Sequence, residues 1–384
     1  MKIFSRFVVA ALLFIAVKGF AEKIPLELPP VVYAVPGIET NIYFDNLVLT
    51  TNTSNYVFDV DCKKGRNDEK RWRFTPSDKD VGSYRWALKV IDSNNKIIAT
   101  GTIKIIVSPK DAGKDKKVSM LIVGDSLTNA SVYPRAIHDL MTKSGITLTM
   151  IGAHSGGGRK PNKIAHEGYG GWRWQTFCTR WSKTKDYRAK SHFLTLKNGK
   201  PVLDVKAYIK KYAKGKNPDF ITIMLGTNDV FGANDDNIKE KIKTIFSFAD
   251  KFIAALKKDI PNAKIGVALT VPPAASQDAF GSNYKCNQTR WQYRRNQFKL
   301  VEEMIAKYGN GKIKNVSLIP AFVGIDCENN FPMRREKTNS HDAKVIMRHS
   351  NGVHPAPTGY KQLGDVFYCW LKYKLSEKKR TNER

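Results

Sequence analysis

Two rhythms of apolar and polar residues divide the chain. Between Pro30 and Pro109 the apolar positions come in short alternating or β-branched runs, NIYFDNLVL, NYVFDV, RWALKVI and KIIATGTIKIIV, separated by polar turns. A period of two sends successive side chains to opposite faces of a strand, so this part predicts a small β-sandwich. After the charged run KDAGKDKK the rhythm changes. Strand-like runs VSMLIVG, ITLTMIG, FITIMLG and KIGVALT alternate with helical patterns near 133–144, 205–212, 237–258, 291–308 and 358–375. Strand and helix in alternation predict a parallel sheet covered on both faces. The organisation reads as a leader over 1–21, a sandwich over 22–110, a linker over 111–117 and an α/β domain over 118–378.

The leader reading rests on Lys2 and Arg6 ahead of an apolar stretch, followed by small residues at Gly19 and Ala21, where a signal peptidase would cut. The apolar run from Phe7 to Val17 is about half of the ~20 residues that span a bilayer, so a secretory signal is favoured over an anchor. The expected location is secreted or periplasmic. Formal net charge is +29, from 64 Lys and Arg against 35 Asp and Glu, and a field of that sign draws in polyanions. Export points to an acidic polysaccharide before nucleic acid, and the chain carries no basic recognition helix or RNA-binding aromatic signature. Five cysteines in an exported chain permit up to two disulfides. No CxxC pair, zinc spacing or calcium loop occurs, so no metal and no cofactor is called for.

Within the first part, Asp80-Val81-Gly82-Ser83-Tyr84 looks like the tyrosine corner of immunoglobulin-like sandwiches, where a phenol ties a loop to the sheet. Nothing there resembles a reaction centre, so a spacer or stabilising platform is the expected role, with glycan binding as the sharper alternative.

The chemistry lies beyond the predicted strand ends, where open α/β sheets bind ligands. The first buried run ends in Gly124-Asp125-Ser126-Leu127, placing a hydroxyl at a strand exit, where a nucleophile or a plain helix cap would sit. Glu167-Gly168-Tyr169-Gly170-Gly171-Trp172 offers glycine amides that a ligand can approach closely. Gly226-Thr227-Asn228-Asp229 puts a carboxamide at a third strand tip, able to donate to an oxyanion. Val353-His354-Pro355, just ahead of the last helix, can present an imidazole to the serine.

In this order the four clusters resemble the SGNH, or GDSL, family of serine esterases and acylhydrolases over roughly residues 117–376. The resemblance implies a three-layer α/β/α, flavodoxin-like domain. It makes Ser126 the nucleophile and His354 the general base, with an oxyanion hole formed by the Ser126 amide, the Gly171 amide and the Asn228 side chain. Gly170 is the rival glycine. Family members commonly carry Asp three residues before the His, whereas this chain has Asn351. Three readings follow: Asn351 or a backbone carbonyl orients His354, a carboxylate such as Asp342 or Asp326 does so, or catalysis is impaired. Asp125 and Asp229 are read as loop anchors. His138, His154, His192 and His349 are read as ordinary loop or surface residues, with His166 and His341 as substrate contacts at most.

Aromatic residues crowd these clusters, including Trp174, Trp181 and Tyr187, and flat rings stack on sugars as readily as they fill cores. Tyr169, Trp172 and Trp291 are the expected sugar contacts, with 272–295 as a loop over the site that shapes specificity. The resemblance, the leader and the charge together imply a carbohydrate esterase that removes O-acetyl groups from polysaccharide. A lipid or small-ester acylhydrolase is the alternative enzyme, and a non-catalytic glycan-binding protein the alternative of another class.

Overall fold

The computed structural model describes residues 24–155 and 164–377; the leader reading over 1–21 lies outside them. A parallel sheet forms the centre. Its strands are Lys117–Gly124, Thr147–Ile151, Phe220–Met224, Lys264–Ala268 and Val316–Ile319, with the two-residue strand Glu167–Gly168 pairing with Val123 and Gly124 at the end of Lys117–Gly124. Numbered along the chain, the five main strands stand in the order 2-1-3-4-5, the flavodoxin-like arrangement. Every residue of Phe220–Met224 is buried, which requires cover on both faces. Helices Val132–Lys143 and Pro357–Ser376 pack together as one group, and Trp174–Thr179, Val205–Tyr212, Ile238–Asp259 and Arg290–Tyr308 as another.

Residues 24–109 form two sheets. One has the order Val31–Ala34, Ile97–Val107, Gly82–Ile91, Val57–Cys62, and the other Thr40–Tyr43, Arg71–Phe74, Arg66–Asn67. The Tyr84 hydroxyl donates to the Asp80 carbonyl at 2.9 Å, the tie that the Asp80–Tyr84 segment suggested. These sheets share one apolar core with the α/β part. The Arg294 guanidinium crosses the junction and donates to the carbonyls of Asp45, Asn46 and Val48 at 3.0, 3.0 and 3.1 Å. From the other side, the Asn46 amide donates to the Ile325 carbonyl at 2.8 Å.

Two expectations change. Residues 272–295 are not an open loop: Gln277–Tyr284 is a helix with Ala279 and Phe280 buried, and the next helix begins at Arg290. The stretch is polar only on its outer side. All five cysteines are free thiols, with Cys327 and Cys369 buried and Cys286 exposed. Among the described residues no helix is long and apolar enough to cross a membrane.

Candidate active site

Three strand ends and one pre-helical loop bring the four clusters together. At the end of Lys117–Gly124 the chain turns sharply into the short helix Ser126–Asn129. The turn needs Gly124, since a Cβ there would run into the Thr128 side chain and lie 3.0 Å from the Met224 carbonyl oxygen. Asp125 caps the helix, its carboxylate accepting from the Leu127 amide at 2.9 Å, which leaves the half-buried Ser126 as the first helical residue.

His354 reaches Ser126 from the opposite side. Its Nε2 lies 2.8 Å from the Ser126 Oγ, and its Nδ1 lies 3.3 Å from the Asn351 Oδ1. The same Asn351 oxygen accepts from the backbone amides of Val353 and His354 at 3.0 and 2.9 Å. Only an oxygen can take those two bonds, so they fix which end of the amide faces the imidazole. Nδ1 must then carry the proton, and Nε2 turns its lone pair to the serine hydroxyl. An imidazole in that tautomer can take the Ser126 proton. Burial lowers the His354 pKa from its ordinary value and favours the neutral form.

The carboxylates considered for this place lie elsewhere. Asp342 accepts from the Lys344 amide at 2.9 Å in an exposed turn, and Asp326 caps its own loop through the amides of Glu328 and Asn329. The loop that carries His354 is held from outside by contacts that sequence reading missed. The Gly352 carbonyl accepts from the Ala274 amide at 3.0 Å, and a Cβ on Gly352 would run into the Phe280 ring. His349 is pinned between the Ser276 hydroxyl at 2.9 Å and the Glu328 carbonyl at 2.7 Å. No pattern in the sequence couples positions so far apart.

The glycine cluster forms a tight turn in which the Trp172 amide donates to the Tyr169 carbonyl at 3.2 Å. Gly171 has φ +79°, the value a type II turn requires at its third position, whereas Gly170 has no positive φ. This separates the two glycines. Asn228 donates one Nδ2 hydrogen to the Trp172 carbonyl at 3.0 Å, which links this turn to the third strand end and leaves the second hydrogen for a ligand. Asp229 accepts from the Trp174 amide at 3.2 Å, so both aspartates anchor loops as read. Each keeps a second carboxylate oxygen buried without a partner. Burial pushes both pKa values up to about 7, the neighbouring Asp229 charge adding to the rise at Asp125.

Of the expected sugar contacts, two are corrected. Tyr169 and Trp172 are 1% exposed, stacked on each other at 4.2 Å, and the Tyr169 hydroxyl donates to the buried Glu167 at 2.7 Å. They fill the core and have no face free for a sugar. Trp291 is half-buried with the Arg295 guanidinium 5.8 Å from its ring, and among the described residues no hydrogen bond or ring contact joins it to the Ser126–His354 pair. His166 is wholly buried, accepting from the Gly168 amide and bonded to Ser131, which rules out a substrate contact in this arrangement. His341 lies in the exposed turn that joins Met333–Lys337 to Val345–His349. The ring that does face solvent is Tyr187, 46% exposed and stacked on His154 at 4.8 Å.

No curated protein sequence matches the chain. Among solved structures it is similar to a family 3 carbohydrate esterase from Clostridium thermocellum, at 15% identity and TM-score 0.40, covering 68% of this chain and all of that one. It is also similar to a carbohydrate acetylesterase family member from Sinorhizobium meliloti, at 13% identity and TM-score 0.39, with 68% and 100% covered. The family model of GDSL-like lipases and acylhydrolases matches residues 120–367, which span the Ser126 turn, the glycine turn, Asn228 and His354. The chain belongs to the GDSL-like lipase/acylhydrolase family.

Proposed function

We propose that the chain is an exported serine esterase that removes O-acetyl groups from polysaccharide. The observation that carries this reading is the 2.8 Å hydrogen bond between Ser126 and an imidazole whose tautomer is set by Asn351. Ser126 Oγ attacks the acetyl carbonyl while His354 Nε2 takes its proton. The Ser126 and Gly171 amides and the free Asn228 hydrogen hold the charge that develops on the carbonyl oxygen. Collapse expels the sugar oxygen, which takes the proton back from His354. Water, activated by the same imidazole, then releases acetate from Ser126.

A sugar polymer is favoured over a lipid by the exposed Tyr187 ring, which stacks on the His154 ring bonded to Asn129, and by the net charge of +29. The leader over 1–21 supports export to the periplasm or beyond. Residues 24–109 are read as an immunoglobulin-like sandwich, with the Tyr84 tie in support, that braces the hydrolase part. The reading is tested by acetate release from a panel of acetylated neutral and acidic polysaccharides, comparing the intact protein with Ser126→Ala. Release that vanishes in the variant is expected; equal release by both proteins would overturn the assignment.

A further inference from the structure

The segment RWSKTKDYRAK, residues 180–190, leaves helix Trp174–Thr179 and returns beside it. Its ends are closed by the Ser191 amide donating to the Arg180 carbonyl at 2.9 Å, with Ser191 and Ala189 buried as anchors. Asp186 stiffens the turn by accepting from the Arg188 amide at 2.7 Å, and its carboxylate also pairs with the Arg188 side chain at 3.4 Å. That is the only acid in the segment. Arg180, Lys183, Lys185 and Lys190 are exposed and make no ion pair among the described residues. The Lys190 ammonium stands 4.9 Å over the half-buried Trp181 ring.

This surface is tied to the reaction centre by a short run of contacts. Ser126 opens the helix that Asn129 ends, so the two lie about 5 Å apart along its axis. The Asn129 carboxamide oxygen lies 2.8 Å from His154 Nε2, and the Tyr187 ring stacks on the His154 ring at 4.8 Å and 26°. The Tyr187 ring stacks on His154, has the Arg188 guanidinium 5.5 Å from its centroid and stays 46% exposed, in a segment that carries four further cations without ion pairs. A ring alone suits any sugar, and cations alone suit any anion; together they suit a sugar that carries a negative charge.

We propose that segment 180–190 is a substrate subsite for an acidic sugar residue, with the Tyr187 ring against the pyranose face and Arg180, Lys183, Lys185 and Lys190 on its carboxylate or sulfate and those of its neighbours. The inference deepens the esterase reading and rests on it for what is delivered to Ser126, whereas the binding itself does not. Because the loop is closed and internally bonded, little ordering is needed when the chain docks. Attraction through exposed cations weakens as salt rises.

The test is calorimetric titration of the full chain with unacetylated oligogalacturonate and with a neutral xylo-oligosaccharide, repeated on Tyr187→Ala and on the triple variant Lys183→Ala, Lys185→Ala, Lys190→Ala. The acidic oligomer should bind about 10-fold or more tightly than the neutral one at low salt, and each variant should lose about that factor. A thermal melt of each variant, run in parallel, separates a loss of binding from a loss of fold. Equal affinity for the two oligomers, or variants that bind the acidic one undiminished, would overturn the subsite. So would an oligodeoxynucleotide that binds as well and is insensitive to Tyr187→Ala, which would mark a general polyanion surface. Binding as expected without acetate release from acetylated polygalacturonate would overturn the esterase reading and leave the subsite standing.

Discussion

The Asn351 amide has two orientations open to it, and only one leaves the His354 Nε2 lone pair on Ser126. The Val353 and His354 amides select that one by bonding to its oxygen. What the amide lacks is charge: an aspartate would also stabilise the imidazolium that forms during attack. Asn351→Asp supplies it without changing shape. A carboxylate facing Nδ1 favours the protonated ring, so the His354 pKa rises from its burial-lowered value. The acid limb of the kcat/KM profile should therefore move to higher pH, and the rate on the plateau should hold or rise by about 10-fold. A large plateau loss in the pH profile of the variant would show that the amide itself is needed. The buried aspartates give a second prediction at this scale. Asp229 has its folded pKa raised to about 7, above its ordinary value near 4, so the folded state holds a proton the unfolded chain has already lost. Stability from that proton is full below about pH 4 and is lost as pH rises toward 7. Asp229→Asn removes the titration, and the fall in Tm between pH 5 and pH 8 should be smaller than in the unmodified protein.

Among the elements, the glycine turn is the most exacting part of the site. Gly171 needs its positive φ for the turn, while open space surrounds the position of a Cβ. Gly171→Ala would therefore act through backbone strain and not through a clash, at about 1–2 kcal/mol. If the turn relaxes, its amide leaves the proposed oxyanion position, and kcat should fall about 10-fold or more with KM little changed. A variant with unaltered kcat would hand the role to Gly170. The long elements were legible from the chain: the helix patterns at 133–144, 205–212 and 291–308 agree with helices Val132–Lys143, Val205–Tyr212 and Arg290–Tyr308 to within a residue. In Val132–Lys143 and Val205–Tyr212 the apolar periodicity is strong because each buries one stripe, whereas Arg290–Tyr308 also buries Arg294, Asn296 and Gln297 and is marked by its length instead. The exposed hairpins Leu194–Lys197 with Lys200–Leu203, and Met333–Lys337 with Val345–His349, left no such mark, since neither buries a continuous face. Tyr169 and Trp172 were misread for a related reason. An aromatic residue beside a strand end looks the same in sequence whether its ring turns inward, as theirs do, or outward, as the Tyr187 ring does.

At the scale of the whole molecule, the alternating runs and the four motifs suggested a sandwich standing in front of an enzyme, and the packing joins the two parts through one core. Arg294 is buried at the junction, and burial lowers its pKa to about 10, which still leaves it charged at neutral pH. Its hydrogen-bond partners are carbonyls in the segment 45–48 together with the Gln297 side chain, with the Phe298 ring 5.3 Å from the guanidinium and the Asp45 charge in support. Arg294→Met keeps most of the volume but strands three carbonyl acceptors in the core, each costing about 1–3 kcal/mol when left unpaired. The expected loss is about 3–5 kcal/mol, read as a lower urea midpoint. The form of the transition carries more than its position. One apolar core running through both parts predicts a single cooperative step in the intact protein and in Arg294→Met alike, with esterase activity and the near-ultraviolet signal of the buried tryptophans lost together. If the variant instead unfolds in two steps, with activity surviving the first, residues 24–109 are a separable attachment and the catalytic loop needs no brace from them.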